Sequence, residues 1–229
     1  MHVYALVKEL LEQSRLKELP LTVSLEAGHP KVLVMGGENG TGKSLVARGL
    51  SSLAREKHRI SRLCVSIRER TGSGSDDMVN LRRGAMFGDE TDQSTGAVSV
   101  RVVQSAFATA HQWAQQGTAT LMVVDEPEMG LSEGYAKAMG RYLAKGFADL
   151  PELVCGLAVV THSRALARAL SVELQRPPSF VNTGESASWL EWLQGEPART
   201  VEDLLALPTR GHERWQEIEA VLNRLRKRP

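Results

Sequence analysis

A chain of 229 residues, 42% of them hydrophobic, can bury one full α/β core, and two compact domains would crowd it. Its 28 Lys and Arg nearly cancel 27 Asp and Glu, so no global basic field calls for nucleic acid, although a local basic patch is allowed. No segment approaches the ~20 apolar residues that span a bilayer, and the charged, amphipathic start "MHVYALVKELLEQSRLKEL" lacks the apolar stretch of a signal peptide. The expectation is a cytoplasmic protein without membrane insertion. Cys64 and Cys155, each inside an apolar run, read as reduced core thiols.

Residues 3–19 read as a helix with Leu6, Leu10, Leu11 and Leu16 on one face, stopped by Pro20. "LTVSLEAGHPKVLVMGG" reads as two short strands around a turn at Gly28–Pro30, the second running into a glycine-rich loop. A helix to about Lys57 and a strand over 61–69 follow. Residues 70–96 are rich in Gly, Ser and Asp without a clear period and read as a loop, in which Arg82 and Arg83 are read first as solvated charges. "AVSVRVVQSAFATAHQWAQQ" reads as a helix despite its β-branched start. The strand "ATLMVVD" ends at Asp125, a helix covers about 133–148, the strand "LVCGLAVVTH" ends at His162, and "RALARAL" is a short helix. "SFVNTG" and "SWLEWL" read as strands, which would send Trp189 and Trp192 to opposite faces. Two helical patterns, 200–207 and 212–227, close the chain. The alternation predicts the α/β class, with a mostly parallel sheet covered by helices and a small antiparallel N-terminal flank.

Two stretches carry chemistry. "GGENGTGKS", residues 36–44, fits G-x-x-x-x-G-K-[ST] between a strand and a helix. Glycines let the loop curl until successive N–H groups point inward at phosphate oxygens, and the helix dipole favours the same anion. Lys43 would reach the β- and γ-phosphates and the Ser44 hydroxyl would ligate Mg²⁺. With Gly at ~7% of average usage, four such positions match by accident in on the order of one chain in a hundred. "LMVVDEPEMGLS", residues 121–132, places Asp125 at the carboxyl end of a buried strand, where it can hold Mg²⁺. Glu126 has left that strand and can orient or deprotonate a water. "AVVTHS" repeats the geometry one strand later and puts His162 within reach of the same phosphate or water.

Together these residues resemble the ATP-binding-cassette superfamily, and within it the soluble branch of SMC, RecF and OLD-type ATPases rather than transporter cassettes. "GENGTGKS" is similar to that branch's G-x-N-G-x-G-K-S, "DEPEMGLS" looks like its D-E-P-E-x-G-L form with Gly130, Leu131 and Ser132 as the D-loop, and "THS" corresponds to its switch histidine. The resemblance covers roughly residues 20–185. It implies ATP and Mg²⁺ as cofactors, an ATPase activity with Glu126 and His162 as catalytic residues, and nucleotide contacts from Gly37, Asn39, Gly40, Thr41, Gly42, Lys43 and Ser44. It also implies work in pairs, two heads clamping two ATP molecules while each supplies a signature loop to the other's γ-phosphate. Here that loop is reduced to Ser94 and Gly96 in "DQSTGAVSV". No Q-loop glutamine follows the 61–69 strand, and no adenine-stacking aromatic immediately precedes the glycine loop.

The domain reading is accordingly one ABC-like ATPase domain over 1–229, made of an N-terminal helix (1–19), a nucleotide-binding core (20–185) and a C-terminal helical extension (186–229). The coiled-coil arms of SMC-type proteins and the nuclease module of OLD-type proteins have no counterpart in it. The expected function is an ATP-driven switch that associates as a homodimer or with a hetero-partner through an ATP-sandwiched interface. Its output would be an effector protein or DNA, in repair, mobile-element maintenance or antiviral defence. The alternatives are a transporter's nucleotide-binding subunit, disfavoured by the poor signature and missing Q-loop, and a P-loop small-molecule kinase, which would not need Glu126 and His162.

Overall fold

A computed structural model describes residues 1–66, 94–184, 188–195 and 199–226. The remainder of the sequence-predicted 70–96 loop, with Arg82 and Arg83, and the 67–69 end of the third strand lie outside the described residues. Six strands form one sheet: β1 (Val23–Glu26), β2 (His29–Gly37), β3 (Ser61–Ser66), β4 (Thr120–Asp125), β5 (Val154–Val160) and β6 (Pro178–Thr183). Their order across the sheet is β1-β6-β2-β5-β4-β3, parallel throughout except for β1, which runs antiparallel to β6 at the edge. The α/β class and the mostly parallel sheet therefore stand, with two corrections at the N-terminus. The expected hairpin over 21–37 does not form, because β1 and β2 pair with opposite sides of β6, and the antiparallel flank is β1 alone.

Eight helical segments flank the sheet among the described residues: α1 (Val3–Glu12), α2 (Ser14–Lys17), α3 (Lys43–His58), α4 (Thr95–Gln115), α5 (Glu133–Ala148), α6 (Arg164–Glu173), α7 (Trp189–Gln194) and α8 (Val201–Arg226). The expected 3–19 helix is thus interrupted at Gln13, whose extended backbone ends α1. No described helix is long and apolar enough to cross a membrane.

Strand periodicity sorts the core. In β4, Leu121 and Val123 face one side with Val3, Leu6 and Leu50 of α1 and α3. Met122 and Val124 face the other, with Val102, Phe107 and Leu143 of α4 and α5. A strand buried on both faces needs apolar residues at every position, which is why β4 and β5 read as continuous apolar runs. Cys155 sits in this core, and burial pushes its thiol up to about 11, in keeping with an unreactive core cysteine.

The C-terminal third departs most from the sequence-based expectation. "SWLEWL" is helix α7, not a strand. Ser188 and Glu191 close a capping box, and the three-residue spacing puts Trp189 and Trp192 on the same, buried face. Their rings pack on Phe180 of β6 at 5.3 and 5.2 Å between centroids. Trp192 also lies under the glycine loop, close enough that a Cβ on Gly36 would stand 2.7 Å from its Cε2. Beyond it, α8 runs unbroken through Pro208 where two helices were expected. The proline removes one backbone donor. On its N-terminal side Thr200 and Asp203 cap the helix reciprocally, Arg210 bridges back to Asp203 at 3.1 Å, and further on Ile218 and Val221 dock on Leu19.

Truncating Trp192 to Ala should lower stability by about 3–5 kcal/mol, the range for emptying a buried aromatic site. Chemical denaturation should show a lower midpoint at unchanged slope.

Candidate phosphate-loop and carboxylate–histidine site

The glycine loop is built where β2 leaves the sheet and α3 begins at Lys43. Gly37, Gly40 and Gly42 take φ of 132°, 77° and 104°. At Gly37 a second constraint applies, since an added Cβ would stand 2.2 Å from the Thr183 carbonyl oxygen of β6. A side chain there is excluded both by backbone strain and by the neighbouring strand. Thr41 pins the loop by donating to the Glu38 carbonyl at 2.8 Å and meeting the Thr183 hydroxyl at 2.7 Å. Lys43 is only 6% exposed, and its Nζ donates to the carbonyls of Gly37 and Glu38 at 2.9 and 2.6 Å. Its ammonium is therefore held beneath the curl of the loop. Residues 39–40 form a tight turn that brings the Thr41 amide back toward the Glu38 carbonyl. A glycine-rich curl above a buried ammonium has the shape and charge that can receive an anion carrying several oxygens.

Two strands away, β4 ends at Asp125 and the chain turns sharply. Glu126 has φ 49°, in the left-handed region. The other two described non-glycine residues with positive φ, Arg59 and Gln175, follow helix ends, where this conformation is routine. Glu126 instead follows a strand, and Pro127 after it favours extended backbone, so the left-handed conformation is imposed by the surrounding fold. Such strain costs of order 1–3 kcal/mol and collects where geometry serves a purpose. The turn carries the carboxylate across to β5, where Glu126 Oε1 lies 3.3 Å from His162 Nε2, both side chains about one-third exposed (34% and 33%). The imidazole can thereby orient the carboxylate, and the carboxylate can accept a proton from a water beside it.

A residue without an assigned role in the sequence reading fixes this pair. Glu128 Oε1 accepts hydrogen bonds from the Thr161 hydroxyl (2.6 Å), the His162 amide (3.1 Å) and the Ser163 amide (3.2 Å). One carboxylate thus clasps the loop after β4 to the loop after β5, at the N-terminus of α6, whose dipole favours it. The signal was present in the sequence as the second acid of "DEPE", but nothing local says that its partner is "THS" 33–35 residues away.

Asp125 and Ser44 stand at the end of β4 and the start of α3, the positions from which a carboxylate and a hydroxyl can share a Mg²⁺ with phosphate oxygens. Among the described residues no three His, Cys, Asp or Glu gather as a metal cluster. A Mg²⁺ held by one carboxylate, one hydroxyl and phosphate oxygens requires none. Ser94 and Gly96 are not brought to the glycine loop within this chain. Ser94 is the N-cap of α4, accepting from the Ala97 amide at 3.3 Å. Gly96 packs on the turn after Glu128, where a Cβ would stand 2.6 Å from the Gly130 carbonyl oxygen. The two glycines let these segments touch backbone to backbone, and Ser99 adds a 2.9 Å bond to the Met129 carbonyl.

No family model matches the chain, and no curated protein matches it significantly. The site's chemistry accordingly rests on the residues themselves.

Replacing Glu128 by Ala should cost about 1–3 kcal/mol, because the Thr161 hydroxyl and two amides lose a charged acceptor. The His162 ring resonances should move in NMR spectra of a chain that remains folded.

Proposed function

We propose that the chain is an ATP-binding and ATP-hydrolysing switch, of the arm-less soluble ABC type its motifs resemble, whose ATP-dependent association drives a partner protein or acts on DNA. The observation that supports it best is the Glu126–His162 contact at 3.3 Å, held by strained backbone and the Glu128 clasp, beside a loop formed to receive phosphate. A glycine loop by itself suits any phosphate ligand. An oriented carboxylate on the strand tip beyond it adds a general base for water, and water is the acceptor in hydrolysis.

In this reading the amides of 39–42 and Lys43 bind the β- and γ-phosphates, with Gly37 providing the entry to the curl. Ser44 and Asp125 would hold Mg²⁺, which supplies charge neutralisation for the same phosphates. Glu126 takes the proton of the attacking water at its carboxylate, and His162 keeps that carboxylate in place. The γ-phosphate of one chain meets Ser94 and Gly96 of a second copy or of a hetero-partner, where the N-terminus of the 21-residue helix α4 presents amides to the anion. Because Gly96 rests on Gly130, a shift at the carboxylate turn on hydrolysis is passed directly to the face that holds the partner.

Lys43→Ala should abolish binding of a fluorescent ATP analogue in equilibrium titration, and retained wild-type affinity would remove the proposal. Glu126→Gln should still bind Mg-ATP but turn over at least about tenfold more slowly, since an amide positions water without accepting its proton. Glu126→Gln should also run as a monomer alone and as a dimer with Mg-ATP in light scattering, with Ser94→Arg blocking the dimer and sparing ATP binding.

A further inference from the structure

The glycine loop is walled on its open side by the C-terminal segment. Arg199, Arg210 and Arg214 line one cavity of about 820 Å³ together with Gly37–Thr41 and the end of β6. Arg199 and Arg210 also line a second cavity, of about 300 Å³, with Gly37–Asn39 and His162. These two arginines therefore stand where both cavities meet the start of the loop, and the smaller cavity also reaches His162. Arg214 borders the larger cavity alone.

Each of the two shared arginines has a carboxylate partner that is easily exchanged. Arg199 pairs with Glu38, a residue of the glycine loop itself, with side chains 52% and 46% exposed. Arg210 pairs with Asp203 at 3.1 Å, with side chains 59% and 31% exposed. Ion pairs this open to water are weakly held. The Asp203 carboxylate lies below its usual range, first through the Thr200 amide and then through Arg210, so losing Arg210 leaves it capped. Arg214 adds a third guanidinium, whose buried Nε has no hydrogen-bond partner among the described residues. Guanidinium forks match phosphate oxygens in pairs, which a single surface carboxylate cannot equal when phosphate is fixed beside them.

We propose that α8 is a wall of the nucleotide site and that Arg199 and Arg210 bind the terminal phosphate of ATP, Arg199 exchanging Glu38 for it. This deepens the ATP reading and rests on it. A terminal phosphate at the start of the loop lies next to His162, within the cavity that Arg199 and Arg210 share. ADP brings no oxygens to that place, so Arg199 stays on Glu38. The C-terminal helix thereby distinguishes ATP from ADP within one chain, through an exchange of ion-pair partners rather than a movement of the fold. The glycine-loop glutamate acts as the competing anion.

The test is equilibrium titration of the full chain with fluorescent ATP and ADP analogues in the presence of Mg²⁺. Thermal midpoints verify folding, and Lys43→Ala serves as control. The double variant Arg199→Ala/Arg210→Ala should weaken ATP binding at least tenfold and ADP binding less than threefold. Glu38→Gln, which frees Arg199, should tighten ATP binding at least twofold. Wild-type ATP affinity in the double variant, equal losses for both nucleotides, or tighter ATP binding (the mark of a helix that plugs the loop) would each overturn the proposal. So would unchanged or weaker ATP binding in Glu38→Gln. If Lys43→Ala abolishes binding while the double variant does not weaken it, the assignment of α8 falls and the ATP reading stands. If Lys43→Ala binds like wild type, both fall together.

Discussion

One strand's width sets the dimensions of this site. Strand β5 lies between β2, which carries the glycine loop, and β4, which carries Asp125, so the two tips stand roughly 9–10 Å apart at two inter-strand spacings. Were β4 directly beside β2, a carboxylate on its tip would crowd any anion received by the glycine loop. With β5 interposed, the glycine loop and the Asp125 tip are held apart by the width of a strand. The strand between contributes its own tip residue, His162, to the space it creates. The register of β5 on both neighbours, Val160 beside Met35 and beside Asp125, brings all three tips to one level.

Level tips do not by themselves orient side chains, and the loops do this by spending backbone strain and hydrogen bonds. Glu126 leaves the strand in a left-handed conformation that a free chain would avoid, held by the hydrogen bond its amide donates to the Val160 carbonyl. Glu128 then anchors the turn to the start of α6. The same turn presses Gly130 on Gly96, so the carboxylate, the histidine and the N-terminus of α4 form one packed unit. A packed unit of this kind has few arrangements open to it, which makes it suited to report the state of whatever lies beside Glu126.

The C-terminal segment shows how packing and charge can be separated in one helix. Ile218 and Val221 fix α8 to Leu19, while Arg199 just before the helix and Arg210 and Arg214 within it line a cavity with the glycine loop. The apolar end supplies the attachment. The basic end faces a loop whose own amides and Lys43 are already positive, an arrangement that favours an anion between them.

The sequence by itself determined the parts whose causes are local. A glycine loop needs positive φ at fixed positions, a buried parallel strand needs an unbroken apolar run, and a strand tip must be where that run stops. Thus the glycine loop over Gly37–Ser44 and the strand ends before Glu126 and His162 are legible as positions in the sequence, and α3, α5, β4, β5 and β6 fall close to where periodicity put them. Only the tertiary structure decided which pieces meet. "SWLEWL" reads as a strand by composition, and packing on Gly36 and Phe180 selects the helix that buries both tryptophans on one face. The strands β1 and β2 look like a hairpin until β6, about 150 residues later, separates them. Pro208 marks a break until the docking of Ile218 and Val221 and the Arg210–Asp203 bridge outweigh one lost hydrogen bond. Glu128 and Arg199 were invisible for the same reason, since a lone charge in a sequence carries no record of its partner. Their contacts span 33–35 and 161 residues, which no local pattern encodes.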